Sequence, residues 1–169
     1  MIVSLISFFG LIIGMIIASK VKEELEEGKK WFNLIAQLTL LVIIIMLFRF
    51  NFEFFIALFI GLILNYFIKK IYLFLGLVLA LVDDKLLFSV IIFIFGLAYG
   101  TLEYIKFKKI NYKITIMNFI LFFIPIILLF NKYTMIYNNV LTGFAIGGII
   151  IGLLRINTGF KKKKRTKRS

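Results

Sequence analysis

Residues 69–85 read Lys-Lys-Ile-Tyr-Leu-Phe-Leu-Gly-Leu-Val-Leu-Ala-Leu-Val-Asp-Asp-Lys, an uncharged run of twelve between a basic pair and an acidic pair. A helix of that length rises about 18 Å, well short of the roughly 30 Å hydrocarbon layer of a bilayer. Whether this segment crosses decides how many spans the chain has and where its tail lies.

The runs on either side resolve the question. Apolar stretches bounded by charge fall at 2–19, 31–48, 54–68, 71–82, 86–102, 114–130 and 133–156. If all seven cross, eighteen of the twenty-one Lys and Arg collect on one side, and only Arg49, Lys85 and Lys132 lie on the other. Positive charge marks the cytoplasmic side, so the N-terminus is outside and the tail cytoplasmic. If the fourth run failed to cross, the tail would lie opposite the basic 20–30 loop. It is therefore read as a short span, with Lys69 and Lys70 snorkelling to the interface and the bilayer thinning around it. The expected fold is an all-α polytopic membrane protein of seven transmembrane helices. Residues 1–160 form one bundle, 161–169 a basic cytoplasmic tail, and the cell membrane is the expected location. Trp31, Tyr72, Tyr104 and Tyr112 at cytoplasmic ends and Tyr133 and Tyr137 at the outer end suit an aromatic belt.

Composition agrees and narrows the chemistry. The chain is 62% apolar with a mean hydropathy of +1.06, above the apolar content usual for soluble domains. Seven spans in 169 residues leave no room for a soluble domain, so any chemistry is in the bilayer or at its surface. With neither Cys nor His, thiol catalysis, His- or Cys-ligated zinc and a His-based triad are excluded. Oxygen-ligated Mg²⁺ stays open, but no cofactor or metal is expected. Residues 2–19 follow Met1 with no basic segment and no small-residue cleavage site, and read as a retained span.

A shift of 86 residues pairs Phe9-Gly10-Leu11 with Phe95-Gly96-Leu97, Gly14 with Gly100, Lys20 with Lys106, Gly61 with Gly147 and Lys69 with Arg155. This suggests parallel repeats of three spans joined by the short fourth, a 3+1+3 plan known among transporters. A chain so rich in Ile, Leu, Phe and Lys also matches itself by chance. In layout the chain is similar to the SWEET sugar transporters, which also have seven spans and an outside N-terminus. That family's repeat carries a proline in its first helix. The only proline here is Pro125, in span six, so no residue is carried over.

Glycines four apart, at Gly10 and Gly14, Gly96 and Gly100, Gly143 and Gly147, and Gly148 and Gly152, share helix faces and let backbones approach. They read as ordinary packing or as a face for homo- or hetero-oligomers. Polar groups inside spans are default site residues. Asn33 and Gln37 share a face, Asn65 and Asn118 lie one turn inside their spans, and Asn138 with Asn139 suits an outer vestibule for a polar solute. Asn118, Asn138, Asn139 and Glu103 form the expected solute or ion path, with interhelical hydrogen bonding as the plainer reading. Pro125 frees a carbonyl and kinks span six. Glu103 is a proton-relay residue or the partner of Lys106. Asp83 and Asp84 lack a third ligand for a cation. Four acidic residues in 20–30 read as a solvated segment that Gly28 interrupts.

The tail basics Lys161, Lys162, Lys163, Lys164 and Arg165 fit anionic lipid headgroups at about 1 kcal/mol each, or serve as a topology anchor. The net charge of +13 follows from cytoplasmic loops, and no nucleic-acid partner is expected. The first expectation for function is a non-catalytic membrane subunit or assembly protein. The alternative is a small permease or channel. An intramembrane enzyme is third, since no convergent catalytic pair is visible.

Overall fold

The computed structural model describes residues 2–21, 25–129 and 138–165, with side chains as far as 157. Among these residues there are seven helices and no strand: α1 (Ile2–Lys20), α2 (Leu25–Leu47), α3 (Phe52–Ile68), α4 (Ile71–Leu81), α5 (Lys85–Phe107), α6 (Tyr112–Leu128) and α7 (Asn138–Arg165). Four of them, α1, α2, α5 and α7 as far as Asn157, are long and apolar enough to cross a membrane. The helices α3, α4 and α6 have 17, 11 and 17 residues. Large apolar side chains stand on the outside, with Ile45 66%, Phe59 64% and Ile127 60% exposed. An apolar surface of this extent suits lipid rather than water.

Most helix boundaries follow from identifiable end signals. Asp84 caps α5 by accepting from the Leu87 amide at 3.2 Å, and Asn111 caps α6 from the Ile114 amide at 3.4 Å. α3 and α5 each end in a left-handed lysine, Lys69 at φ 59° and Lys108 at φ 54°, whose amides return to the Asn65 and Tyr104 carbonyls. Three helices run well past their expected bounds: α2, α5 and α7, the last by continuing from 156 to Arg165. α2 starts at Leu25 and passes through Gly28 without a break. A helical glycine costs only about 1 kcal/mol, and Leu25 is buried in a cluster with Ala18, Tyr104 and Ile105 that offsets it. α5 continues past Glu103 to Phe107, which shortens the expected 103–113 connection to 108–111.

Side-chain and backbone contacts fix the relative directions. Ser89 bonds the Val3 carbonyl and Thr101 the Gly14 carbonyl, so α1 and α5 run parallel. Gly143 lies on Phe54 and Arg155 bonds the Tyr66 carbonyl, so α3 and α7 run parallel too. Gly152 meets Ile71 near the start of α4, whereas Thr142 and Leu81 share a pocket at its end, so α4 opposes α7. Phe8 packs tilted and edge-on against Phe122 and Phe123 while Met15 meets Thr115, so α6 opposes α1. Leu25 packs beside Tyr104 whereas Met46 shares the pocket of Phe88, so α2 opposes α5.

The tightest packing is between glycine-bearing helices. A Cβ on Gly14 would collide with the Leu97 carbonyl, and one on Gly100 with the Leu11 carbonyl. Gly10 and Gly96 face the same seam, against Phe93 and against Gly10 with Leu11. Gly61 abuts Phe144, while Gly143 abuts Phe54 and Gly147 abuts Leu58, closing α3 on α7. Gly148 and Gly152 turn the other way, toward the Phe74 ring and Ile71 of α4. Both glycine faces of α7 meet helices of the same chain. The core between the helices is apolar, with Leu40, Leu75, Val78, Ile92, Phe95 and Ile149 buried.

Candidate functional site

Two polar regions lie at opposite ends of the helix group α2, α4, α5 and α7. At one end a pocket of about 210 Å³ is lined by Arg49, Asp83, Asp84, Asn138 and Thr142, with Val78, Phe88 and Ala145 among its apolar walls. Short connections bring these residues together: α2 ends just before Arg49, α4 just before Asp83, and α7 opens with Asn138. The Thr142 hydroxyl donates to the Asn138 carbonyl at 2.6 Å and contacts its Oδ1 at 3.1 Å. The Arg49 guanidinium donates to Asn139 Oδ1 at 2.6 Å. One guanidinium and two carboxylates at one mouth can bind a small polar or zwitterionic solute by charge-assisted hydrogen bonds.

At the other end, polar groups enter the bundle from several helices. Tyr72 is 1% exposed, and its hydroxyl has no hydrogen-bond partner among the described residues. Its ring lies 5.8 Å from that of Tyr99, whose hydroxyl is within reach of the Glu103 carboxylate. Glu103 Oε2, Asn33 Oδ1 and Gln37 Nε2 are likewise buried without a partner among the described residues. Lys70 and Lys106 act electrostatically on Glu103, and Arg155 on Tyr99. Each unsatisfied buried polar atom costs about 1–3 kcal/mol. Four in one half of a small bundle mark a region that accommodates water or a polar ligand.

The residues singled out from the sequence thus separate. Asn138 and Asn139 lie at the first of these ends, Asn139 engaged with Arg49, and Glu103 belongs to the opposite one. Asn118 is 4% exposed within α6 and lines neither. Asn65 is structural: its Nδ2 donates to the Gly148 carbonyl at 2.5 Å and its Oδ1 accepts from the Lys70 amide at 3.0 Å. The helix α7 continues through 161–165, but the side chains of Lys161, Lys162, Lys163, Lys164 and Arg165 lie outside the described residues, as do Tyr133 and Tyr137. Of the expected aromatic belt, Trp31 and Tyr112 are 70% and 71% exposed, whereas Tyr72 and Tyr104 are buried.

As site residues, Arg49, Tyr72, Tyr99 and Thr142 escaped sequence reading, in which Arg49 is a flanking charge and Tyr72 a belt residue. Tyr99 carried a signal, since it stands four residues before Glu103 and shares its helix face. The described residues contain no group of three Asp, Glu, Cys or His able to hold a metal ion. Comparison with known protein families, with curated proteins and with solved structures finds no match for this chain.

Proposed function

We propose that this is a seven-span protein of the cell membrane, with its N-terminus outside and its tail in the cytoplasm, acting as a small permease or channel for a polar solute. The observation that carries this reading is the pair of polar regions at opposite ends of the same four helices. Between them lies an apolar septum that includes Leu75, Val78 and Ile92, buried to 0% exposure. A solute route closed at its middle by apolar side chains has this form. The basic tail holds anionic headgroups on the cytoplasmic face.

The alternating directions of the seven helices support seven crossings. Reciprocal contacts support the 3+1+3 repeat. Gly14 meets Leu97 while Gly100 meets Leu11, and Gly61 meets Phe144 while Gly147 meets Leu58. Adding 86 to 11, 14, 58 and 61 gives 97, 100, 144 and 147, so each contact has its exchanged counterpart. Two halves related by an axis along the membrane normal produce such exchange.

The non-catalytic subunit reading asks for a small-residue face left to a partner. The glycines of the paired motifs face helices of their own chain. Permeation is therefore the better supported of the two.

The chain has no cysteine, so single-cysteine variants need no background removal. In membrane vesicles of both orientations, Thr142→Cys is expected to react with an impermeant thiol reagent from outside. Gln37→Cys and Asn33→Cys are expected to react from the cytoplasmic side, with Leu75→Cys protected. Inner-site cysteines inert from both sides would remove the permeation reading and leave the subunit in its place.

A further inference from the structure

The recessed start of α4 changes what the inner region can do. Tyr72, the second residue of α4, packs against Tyr99, which stands eight residues before the end of α5. α4 therefore begins about two turns, roughly 10 Å, short of the end of α5. The recess brings Tyr72, the second residue of α4, beside Tyr99 and Phe95 in the interior, with ring separations of 5.8 and 6.1 Å. A twelve-residue apolar run too short to reach the interface is what carries a tyrosine hydroxyl this deep.

Hydroxyls and a carboxylate in series have the chemistry of a proton site. An ionised carboxylate only accepts hydrogen bonds, a protonated one also donates, and a tyrosine hydroxyl answers either state by rotating. Ionisable groups inside a membrane bundle are costly, which makes them functional by default. We propose that Glu103, Tyr99 and Tyr72 form a proton site in the cytoplasmic half of the bundle, loaded from the cytoplasm beside Lys70 and Lys106. This rests on the permease reading and names its coupling ion. In loading, a hydronium ion reaching the recess from the solvent gives a proton to a Glu103 carboxylate oxygen. Its own O–H bond breaks, the O–H bond of a carboxylic acid forms, and a water molecule is left. Release reverses the step, and both tyrosines keep their protons throughout.

The charges around the site are few. Lys70 precedes α4, Lys106 lies one turn further along α5, and Arg155 of α7 bears on Tyr99. α2 brings the uncharged Asn33 and Gln37. The α1 side is closed by Ala18, packed with Tyr104 and Ile105. Lys70 and Lys106 favour the ionised carboxylate, while removal from water favours the acid. That opposition lets the group change state within the membrane.

Infrared difference spectroscopy of the full chain in lipid vesicles, with isotope-labelled glutamate, tests the site directly. As pH falls, a labelled carboxylic-acid band is expected at the high frequency of a desolvated carboxyl group, and E103Q is expected to lack it. Y72F and Y99F are each expected to move its midpoint by about half a pH unit or more. Y72F removes a single oxygen, so its result stands even if E103Q does not fold. The absence of such a band at every pH tolerated by the folded wild type would overturn the proposal, as would a midpoint untouched by Y72F. A titrating Glu103 alongside inert inner-site cysteines would keep the proton site while removing the permease reading.

Discussion

At the scale of single residues, glycine has two different meanings in this chain. Gly14 and Gly61 stand where a Cβ would meet the backbone of a neighbouring helix, which cannot move aside without separating the pair. Gly28 faces only the Phe32 ring, 3.2 Å from where a Cβ would sit, and that ring can swing. Gly14→Val is therefore expected to lower unfolding stability in detergent by about 1–3 kcal/mol through overpacking. Gly28→Ala is expected to raise it by about 1 kcal/mol, by removing a helical glycine. Equal effects of the two changes would mean that the α1–α5 seam is looser than described. The spacing of the glycines was legible in the sequence; which helix each would meet was not, because spacing fixes a face and says nothing about its neighbour. Tyr72 marks the same boundary. Hydropathy ranks tyrosine as interfacial, and only the length of the helix behind it reveals that it is drawn inside.

At the scale of helices, the ends show where local and tertiary forces meet. Lys69 and Lys108 take up left-handed conformations that cost a side-chain-bearing residue about 1–2 kcal/mol. Lys69→Gly is thus expected to stabilise the protein by about 1 kcal/mol in the same unfolding measurement, and an unchanged or lowered stability would show that the lysine side chain has a compensating contact. The positions of the apolar runs could be read because charge in lipid is expensive, and all seven runs correspond to helices. Their lengths could not. α2 gained its first turns through the burial of Leu25, and α5 gained its last through Tyr104 and Ile105; both gains depend on side chains distant in sequence. The mouth of Arg49, Asp83, Asn138 and Thr142 is also a tertiary product, since these residues lie on three separate connections and helix ends. Asn138 could be suspected from its place within an apolar run, whereas Arg49 looked like an ordinary loop charge.

At the scale of the whole molecule, two glycine seams hold α1 to α5 and α3 to α7, and α4 fills the space against α6 and α7. The short fourth helix therefore orders the entire chain. Its direction sets the side of every later connection, its recessed start buries Tyr72 beside Tyr99, and its far end carries Asp83 to the polar pocket. All of these depend on α4 connecting the two sides of the membrane. In intact cells, impermeant thiol labelling of Asp83→Cys and Lys70→Cys in the cysteine-free chain tests that requirement most directly. Labelling of Asp83→Cys from outside, with Lys70→Cys reached only after the membrane is opened, is the predicted result; labelling of both from the same side would contradict the seven-span account.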